Sequence, residues 1–234
     1  MIINLWKPAG PSSHDMVDIV RRITGEKRVG HGGTLDPIAR GVLVVGVGRD
    51  STKKLHQILK DADKEYIATL RLGYTSVSGD PEGEITKAAP DEEVKTITND
   101  RLLAVLDRFK GEIEQIPPAY SALKIKGIPA YKLARRGETP VLQKRKVLIK
   151  ELELLAFEPP LIKMRAVVSS GTYIRSLAED IGKALGVGAY LQELVRTRVG
   201  EFRIEESKTL VEIETLLRAD VKSALRKGKE KYAK

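Results

Sequence analysis

The stretch Gly30-His31-Gly32-Gly33-Thr34-Leu35-Asp36-Pro37-Ile38-Ala39-Arg40-Gly41 is the most informative part of this 234-residue chain. Its four glycines permit backbone angles and close approaches that side chains would prevent. Together with the proline they predict a shaped loop that presents the Asp36 carboxylate, and such loops often carry function. Taken alone, the pattern is also compatible with an Asx-type turn in which the carboxylate accepts hydrogen bonds from nearby backbone donors.

The stretch closely resembles the catalytic loop of the TruB family of pseudouridine synthases, which reads Gly-His-(Thr or Ser)-Gly-(Ala or Thr)-Leu-Asp-Pro, then a small residue and glycine. The aspartate is that family's essential catalytic residue, so the resemblance assigns this role to Asp36. Two positions depart from the pattern, because Gly32 replaces Thr or Ser and Arg40 replaces a small or hydroxyl residue.

Further segments resemble the same family in the same order. They are Lys7-Pro8-Ala9-Gly10-Pro11-Ser12-Ser13, Asp63-Lys64-Glu65-Tyr66 and Gly171-Thr172-Tyr173-Ile174-Arg175. The resemblance implies that Tyr66 stacks on the target base, that Arg175 pairs with the catalytic aspartate and that Tyr173 lines the uridine pocket. It also implies that Leu194 contacts the base, that His31 occupies a stacking gap in the tRNA T-loop, and that Lys7 and Pro8 bind substrate.

Each of these side chains has a simpler structural interpretation that remains open at this point. Tyr66 is compatible with a half-buried strand aromatic, and Tyr173 with a core aromatic. Arg175 is compatible with a solvated cation on a helix face, and Leu194 with plain core packing. Ser76-Val77-Ser78 replaces a Thr-Asp-Thr pattern before Asp80.

Residues 115–137 resemble the mobile thumb that closes over the T-arm of tRNA in this family. The segment is broken by prolines and rich in Lys and Arg, which suits contact with phosphates, and Lys124 is its expected substrate-binding residue. The resemblance predicts a pseudouridine synthase domain over residues 1–210 and a helical, basic tail over 211–234. We expect no C-terminal PUA-type RNA-binding domain in the remaining length. Seven cations against two acids from Arg218 to the end predict a frayed helix or a disordered arm.

Composition supports a polyanionic partner. Lys and Arg number 41 against 32 Asp and Glu, a formal charge of +9, and an excess of cations favours phosphate-rich ligands. The chain contains no cysteine, which excludes disulfides and thiolate chemistry, and its three scattered histidines spell no zinc motif. Without a signal peptide or an apolar run of membrane-spanning length, we expect a cytoplasmic protein that makes no membrane contact.

Hydrophobic patterns predict an α+β fold, a pseudouridine synthase fold with a mixed, largely antiparallel sheet flanked by helices. Strands are expected at residues 2–6, 42–47, 66–72, 147–157 and 161–168, and helices after Ser12 and over 51–59, 100–109 and 174–185. The capping spacing of Ser12 and Asp15 predicts the start of the first helix, and Gly25 its end. In the helix over 100–109 we expect Leu102, Leu103, Leu106 and Phe109 on one face.

The resemblance implies a tRNA pseudouridine synthase that acts on the T-loop uridine conventionally numbered 55, as a monomer, without cofactor, metal or obligatory protein partner. Moving uracil from an N1 to a C5 linkage requires base flipping and glycosidic cleavage but no redox or phosphoryl step. One carboxylate can act as a nucleophile or as the base that removes the 2′ proton. The alternatives are a relative that acts on another RNA with a guide, and a noncatalytic RNA-binding protein or tRNA-folding chaperone on the same scaffold.

Overall fold

The computed structural model describes residues 1–219, and the basic tail predicted from Arg218 onward lies almost entirely outside this range. The chain divides into two compact units. Among the described residues, unit 1 contains Met1–Ala62 and 196–219, and unit 2 contains Asp63–Val195.

Strands and helices alternate irregularly along the chain. The strands are β1 (Ile2–Lys7), β2 (Val29–Gly32), β3 (Arg40–Val47), β4 (Lys64–Leu72), β5 (Tyr74–Ser76), β6 (Ile85–Lys87), β7 (Gly111–Gln115), β8 (Lys124–Ile125), β9 (Ile128–Pro129), β10 (Arg145–Glu158), β11 (Leu161–Val168), β12 (Ala189–Val199) and β13 (Phe202–Arg203). The helices are α1 (Ser13–Thr24), α2 (Arg49–Leu59), α3 (Asp91–Lys95), α4 (Asn99–Asp107), α5 (Ala130–Ala134) and α6 (Ile174–Leu185), and residues 210–219 are also helical.

Unit 1 is organised around β3, which pairs antiparallel with both β1 and β2. The strand is buried from Gly41 to Val47 because each of its faces is covered. Leu43 and Val45 pack with Met16 and Val17 of α1, whereas Val42 and Val44 pack with Leu55 and Leu59 of α2. A strand covered on both sides has a continuous apolar sequence, which explains the absence of polar side chains from residue 41 to residue 47.

Helix α1 begins and ends where the sequence predicts. The Ser12 hydroxyl accepts a hydrogen bond from the Asp15 N–H, and the Asp15 carboxylate accepts one from the Ser12 N–H, which completes a capping box. Gly25 closes the helix in the left-handed conformation, where its missing Cβ avoids a steric penalty. The apolar face of the helix is thereby fixed against β3.

The helical residues 210–219 belong partly to this core, because Ile213 is buried in the cluster formed by β1, α1 and β3. Leu210 and Leu217 pack against the same cluster. The sequence analysis placed residue 211 at the start of a tail, and that boundary remains a prediction.

Unit 2 contains an antiparallel arrangement in the order β4-β11-β10-β7. Burial alternates along β4, with Tyr66, Ala68, Leu70 and Leu72 facing inward, as predicted. Strand β12 contains the boundary between the units, which falls between Val195 and Arg196. The mixture of helices with antiparallel strands confirms the predicted α+β class.

Helix α4 departs from the expected face. Leu103 is 45% exposed, whereas Leu102, Val105 and Leu106 are buried. The prediction for Leu103 was wrong because positions 102, 105 and 106 follow the i, i+3, i+4 spacing of one helix face, on which residue 103 does not lie, and α4 ends before residue 109.

The predicted thumb contains only short elements. Strands β8 and β9 form a hairpin whose turn holds Lys126 with a φ of 48° and Gly127 with a φ of 85°, and α5 follows directly. Within residues 1–219, no helix has the length and apolar character required to cross a membrane.

Gly41 offers a direct test of the packing in unit 1. Its φ is 111°, and a Cβ added there would lie 2.2 Å from the backbone oxygen of Arg196. Because that neighbour is backbone and cannot swing aside, Gly41→Ala should lower the free energy of unfolding by about 3 kcal/mol or more.

Gly25→Ala is the matched control in chemical denaturation. Gly25 also has a positive φ, of 68°, but nothing lies within 4 Å of its added Cβ. We expect only the backbone penalty of about 1 kcal/mol there. Equal losses in the two variants would show that close packing against Arg196 contributes nothing.

Candidate functional site

The loop over residues 33–39 connects β2 to β3 in unit 1 and carries Asp36 at its centre. The Ala39 N–H donates to the Asp36 carbonyl oxygen (3.0 Å), which forms a turn with Pro37 at its second position, where proline favours the required φ. Asp36 is half-buried. The structure therefore contains the shaped loop around the Asp36 carboxylate that the sequence predicts.

Lys7 holds the second half of the loop. Its side chain is fully buried, and its ammonium group donates to the carbonyl oxygens of Pro8 (3.0 Å), Pro37 (3.2 Å) and Ala39 (2.6 Å). Pro8 itself is exposed. The structure thus gives Lys7 a role in fixing the loop, and its contact with substrate stays a prediction, as does that of Pro8.

Ser13 and Arg196 hold the first half of the loop. The Ser13 hydroxyl donates to the Leu35 carbonyl oxygen (2.9 Å) and accepts from the Leu35 N–H (2.8 Å). The guanidinium of Arg196 donates to the carbonyl oxygens of Gly33 (2.9 Å) and Thr34 (3.4 Å). Asp36 consequently follows three residues whose backbones are each tied to a buried side chain.

Gly32, which departs from the family pattern, has a packing explanation. A Cβ at this position would lie 2.2 Å from Leu59 Cδ1 and 3.4 Å from Leu55 Cγ. Both leucines belong to α2, so glycine at position 32 allows this helix to lie close to β2.

His31 lies on β2, directly before this loop. Burial lowers the pKa of its imidazole below the ordinary value of 6.5, and the nearby Arg196 and His14 lower the pKa further. Within the described part of the chain, its Nδ1 atom is buried without a hydrogen-bond partner. The imidazole is therefore neutral near pH 7, and its insertion into a T-loop stays a prediction.

Arg175 is the first charged residue of α6 in unit 2, and its side chain is only 4% exposed. Its Nη1 atom lies 3.4 Å from Asp80 Oδ2 and donates to the Ser78 carbonyl oxygen, and its Nη2 atom donates to the Tyr120 carbonyl oxygen. The interpretation as a solvated surface cation was wrong. The predicted pairing with Asp36 stays a prediction.

Asp80 is a buried partner that the sequence analysis did not identify. Its Oδ1 atom accepts hydrogen bonds from the Ser78 hydroxyl (2.5 Å) and the Glu82 N–H (3.1 Å), and its carbonyl oxygen accepts one from the Ser76 hydroxyl. Of the two serines that depart from the family pattern, Ser78 therefore binds the Asp80 carboxylate and Ser76 binds the Asp80 backbone.

Gln115 fixes the backbone of Tyr173. Its side-chain amide donates to the Tyr173 carbonyl oxygen (3.0 Å) and accepts from the Tyr173 N–H (2.8 Å). Ser176 of α6 donates to the Ile116 carbonyl oxygen (2.7 Å). The start of α6 and the root of the predicted thumb are thereby joined in unit 2.

The other predicted residues of unit 2 lie on separate elements. Tyr66 is 6% exposed on β4, so it is more deeply buried than the half-buried aromatic considered above. Leu194 is buried on β12, and Lys124 is exposed on β8. Their contacts with a base or with RNA stay predictions.

Three residues with structural roles at the site carry signals that sequence reasoning could have used. Arg196 stands at an inward position of a strand that otherwise buries apolar residues, and Asp80 lies within a glycine-rich turn. Gln115 ends a strand, one residue before the two prolines at positions 117 and 118. A buried polar residue in such a place needs hydrogen-bond partners, and the sequence does not say which they are.

Comparison with known proteins identifies relatives over most of the chain. Residues 21–174 match the family model described as TruB family pseudouridylate synthase (N terminal domain), and residues 175–228 match the tRNA pseudouridylate synthase B C-terminal domain. A protein of Francisella tularensis subsp. novicida named tRNA pseudouridine synthase B is 46% identical over 215 residues, which is 92% of this chain and 70% of that protein. The protein of the same name from Mycobacterium leprae is 43% identical over 226 residues, covering 93% of this chain and 69% of that protein.

Two solved structures share the fold. A chain of a Cbf5-Nop10-Gar1 complex has a TM-score of 0.70 at 35% identity, covering 92% of this chain and 53% of that one. A chain of an H/ACA RNP bound to a substrate RNA containing 2′-deoxyuridine has a TM-score of 0.67 at 32% identity, covering 92% and 52%. The chain thus spans about half the length of these solved chains.

The lowered pKa of His31 predicts an acid-sensitive stability. Because the folded state disfavours the protonated imidazole, the contribution of His31 is fully present above pH 6.5 and is lost as pH falls through the lower pKa of the folded protein. The free energy of unfolding of His31→Gln should therefore change less between pH 7.5 and pH 5 than that of the unaltered protein. Urea denaturation at each pH measures this, with His56→Gln on the exposed face of α2 as the control. Parallel pH curves for His31→Gln and the unaltered protein would contradict the burial of a neutral imidazole.

Because Asp80 and Arg175 form a buried ion pair, removing one of the two charges should strongly lower the free energy of unfolding. Asp80→Asn removes the carboxylate that lies 3.4 Å from the buried Arg175 guanidinium, and we expect a loss of about 3 kcal/mol in the free energy of unfolding. Adding Arg175→Met to Asp80→Asn should cost less than the sum of the two single losses, since each single variant already removes the same ion pair. Asp107→Asn, which alters an exposed ion pair with Lys110, is the control and should change little. Simple additivity of the Asp80 and Arg175 variants would show that the two charges do not interact.

Proposed function

Because the chain belongs to the TruB family of pseudouridylate synthases, we propose that it is a tRNA pseudouridine synthase that isomerises the T-loop uridine conventionally numbered 55. The observation that carries the proposal is Asp36, which lies in a loop held by buried Lys7, Ser13 and Arg196 side chains. A carboxylate supported in this way by three elements of unit 1 is suited to a reaction that needs one carefully placed acidic group.

The reaction needs no redox partner, because atoms are only rearranged. The bond between N1 of uracil and C1′ of ribose breaks, and a bond between C5 and C1′ forms. The hydrogen at C5 is lost to water and N1 gains a proton. Asp36 acts in this proposal as a nucleophile or as the base that removes the 2′ proton, and both roles require the ionised carboxylate.

Other residues take the roles that the family resemblance implies. Arg175 supplies positive charge to Asp36, and Tyr66 and Tyr173 offer aromatic surfaces to the flipped base. Leu194 contacts the base, His31 enters the T-loop, and Lys7, Pro8 and Lys124 contact substrate. Support for the first of these roles comes from the planar donor fork of a buried arginine, which suits a carboxylate better than an ammonium group does.

We propose further that the protein acts on tRNA as a monomer, without a guide RNA, protein partner or cofactor. The bacterial relatives at 43–47% identity carry the name tRNA pseudouridine synthase B, which supports tRNA as the substrate. The solved chains come from complexes that contain further proteins, or from an RNP bound to a substrate RNA. A guide-dependent activity is therefore the alternative that the experiment must separate.

The test is tritium release from a tRNA transcript labelled at C5 of uridine, using the purified chain alone. We expect release of one equivalent per tRNA, and mapping by chemical adduct and primer extension should place the product at the T-loop uridine. Asp36→Asn preserves shape and removes charge, so release should fall to background while tRNA still binds. A transcript that lacks this uridine is the control substrate.

Two results would contradict the proposal. Near-normal turnover by Asp36→Asn would remove the catalytic role of this carboxylate. Binding of tRNA without release by the unaltered chain would favour the noncatalytic RNA-binding or chaperone alternative, and release that appears only with guide RNA and partners would favour the guide-dependent one.

A further inference from the structure

Arg196 is the largest fully buried side chain in the described part of the protein. It projects from β12 within unit 1, and its Nε atom donates to the Val42 carbonyl oxygen of β3 at 2.8 Å. Its two Nη atoms donate to the Gly33 and Thr34 carbonyl oxygens, which belong to the loop that carries Asp36. One guanidinium therefore bridges a core strand and the first residues of this loop.

Burial of the positive charge of Arg196 at this position is energetically unfavourable. Within residues 1–219 its partners are carbonyl oxygens only, and no carboxylate pairs with it. Burying a cation without an opposite charge costs several kcal/mol, and an apolar side chain of similar volume would avoid this cost. Packing alone does not explain an arginine here.

The shape of the guanidinium explains why its donors suit this position. Its planar fork presents N–H groups in fixed directions, so three carbonyls on two segments can be bound at once. Gly41 makes the approach possible, because a side chain at that position would collide with the Arg196 backbone. The close contact between β3 and β12 and the fixed loop thus depend on the same pair of residues.

We propose that Arg196 is a positioning residue for Asp36, which orients the loop through the Gly33 and Thr34 carbonyls and adds a buried positive charge beside it. The inference rests on the proposed function, in which Asp36 reacts as a carboxylate. Fixed charges in a site sheltered from water act strongly on a reacting group and need no reorganisation during the reaction.

Other charged groups of unit 1 lie on the elements that adjoin or hold this loop. They are Lys7 of β1, His14 and Asp15 of α1, His31 of β2, Arg40 of β3 and Arg198 of β12. Lys7 is also buried, so a single substitution at Arg196 leaves one cation beside the loop. The test therefore compares variants that keep or remove the charge at position 196.

The experiment uses Arg196→Lys and Arg196→Met, with Arg22→Met as the control. Arg22 is exposed on α1, so its loss changes the net charge equally without touching the loop. Single-turnover rates at saturating tRNA transcript separate the chemical step from binding, and filter binding gives the dissociation constant. Arg196→Met should slow the step by about 100-fold, the effect expected of a small misplacement of a reacting group, while the dissociation constant changes by less than about 3-fold. Arg196→Lys should lie between the two, because it keeps the charge and loses the fork.

The pH profile distinguishes positioning from simple loss of structure. In Arg196→Met the acidic limb of the rate should move to higher pH, because the nearby cation that favours ionised Asp36 is gone. In Arg196→Lys and in Arg22→Met the limb should stay in place. Near-ultraviolet circular dichroism establishes that each variant is folded before its rate is compared.

A second readout does not depend on activity. Arg196 is one cause of the lowered pKa of His31, so the His31 pKa, followed by NMR, should rise in Arg196→Met and stay low in Arg196→Lys. If the unaltered chain shows no activity on tRNA, the proposed function fails, and this titration still tests the electrostatic influence of Arg196. If Arg196→Met does not fold, the rate of Arg196→Lys relative to the unaltered protein still tests whether the planar guanidinium is required.

Three outcomes would overturn the proposal. The first is a normal single-turnover rate in folded Arg196→Met or in Arg196→Lys. The second is a rate loss in Arg196→Met that weaker tRNA binding explains completely. The third is an acidic limb and a His31 pKa that do not respond to removal of the charge.

Discussion

Backbone carbonyls bound by buried cations are the interaction on which the candidate site depends. Lys7 donates to three carbonyl oxygens and Arg196 to three others, and four of these six lie in residues 33–39. A loop lacks the regular backbone hydrogen bonds of a helix or strand, so its carbonyl groups need partners from other elements. Burying these two cations is unfavourable in itself. The protein tolerates it because the two side chains fix the loop that carries the Asp36 carboxylate.

This constraint explains the organisation of unit 1. Lys7 ends β1, Ser13 begins α1, and Arg196 lies on β12, so each contact to the loop comes from a different element. The elements are themselves held by the two apolar faces of β3 and by the capping box of α1. Packing in the core therefore determines where the Asp36 carboxylate lies, through hydrogen bonds that are not part of the core.

Much of this architecture could be predicted from the sequence, and the reasons differ from element to element. Helix α1 was predictable because Ser12 and Asp15 satisfy each other locally, and β4 because its burial alternates with a period of two. Leu103 was misplaced because large apolar residues are dense in this segment, and Leu103 was assigned to the buried face in place of Val105. Arg196 and Gln115 were missed because their partners are backbone groups distant in sequence, and no residue pattern encodes a bond to a carbonyl. Asp80 was missed for a related reason, since its pairing with Arg175 spans most of unit 2.

The use of carbonyl acceptors has a consequence for how this loop can vary over evolutionary time. A carbonyl oxygen is present whatever side chain its residue bears, so substitutions at Thr34 or Ile38 leave the supporting hydrogen bonds available. Selection for the shape of the loop then acts mainly on residues outside it, at positions 7, 13, 41 and 196. Substitutions at such positions inside the loop should therefore be tolerated better than substitutions at positions 7, 13, 41 and 196, because the supporting hydrogen bonds use backbone acceptors.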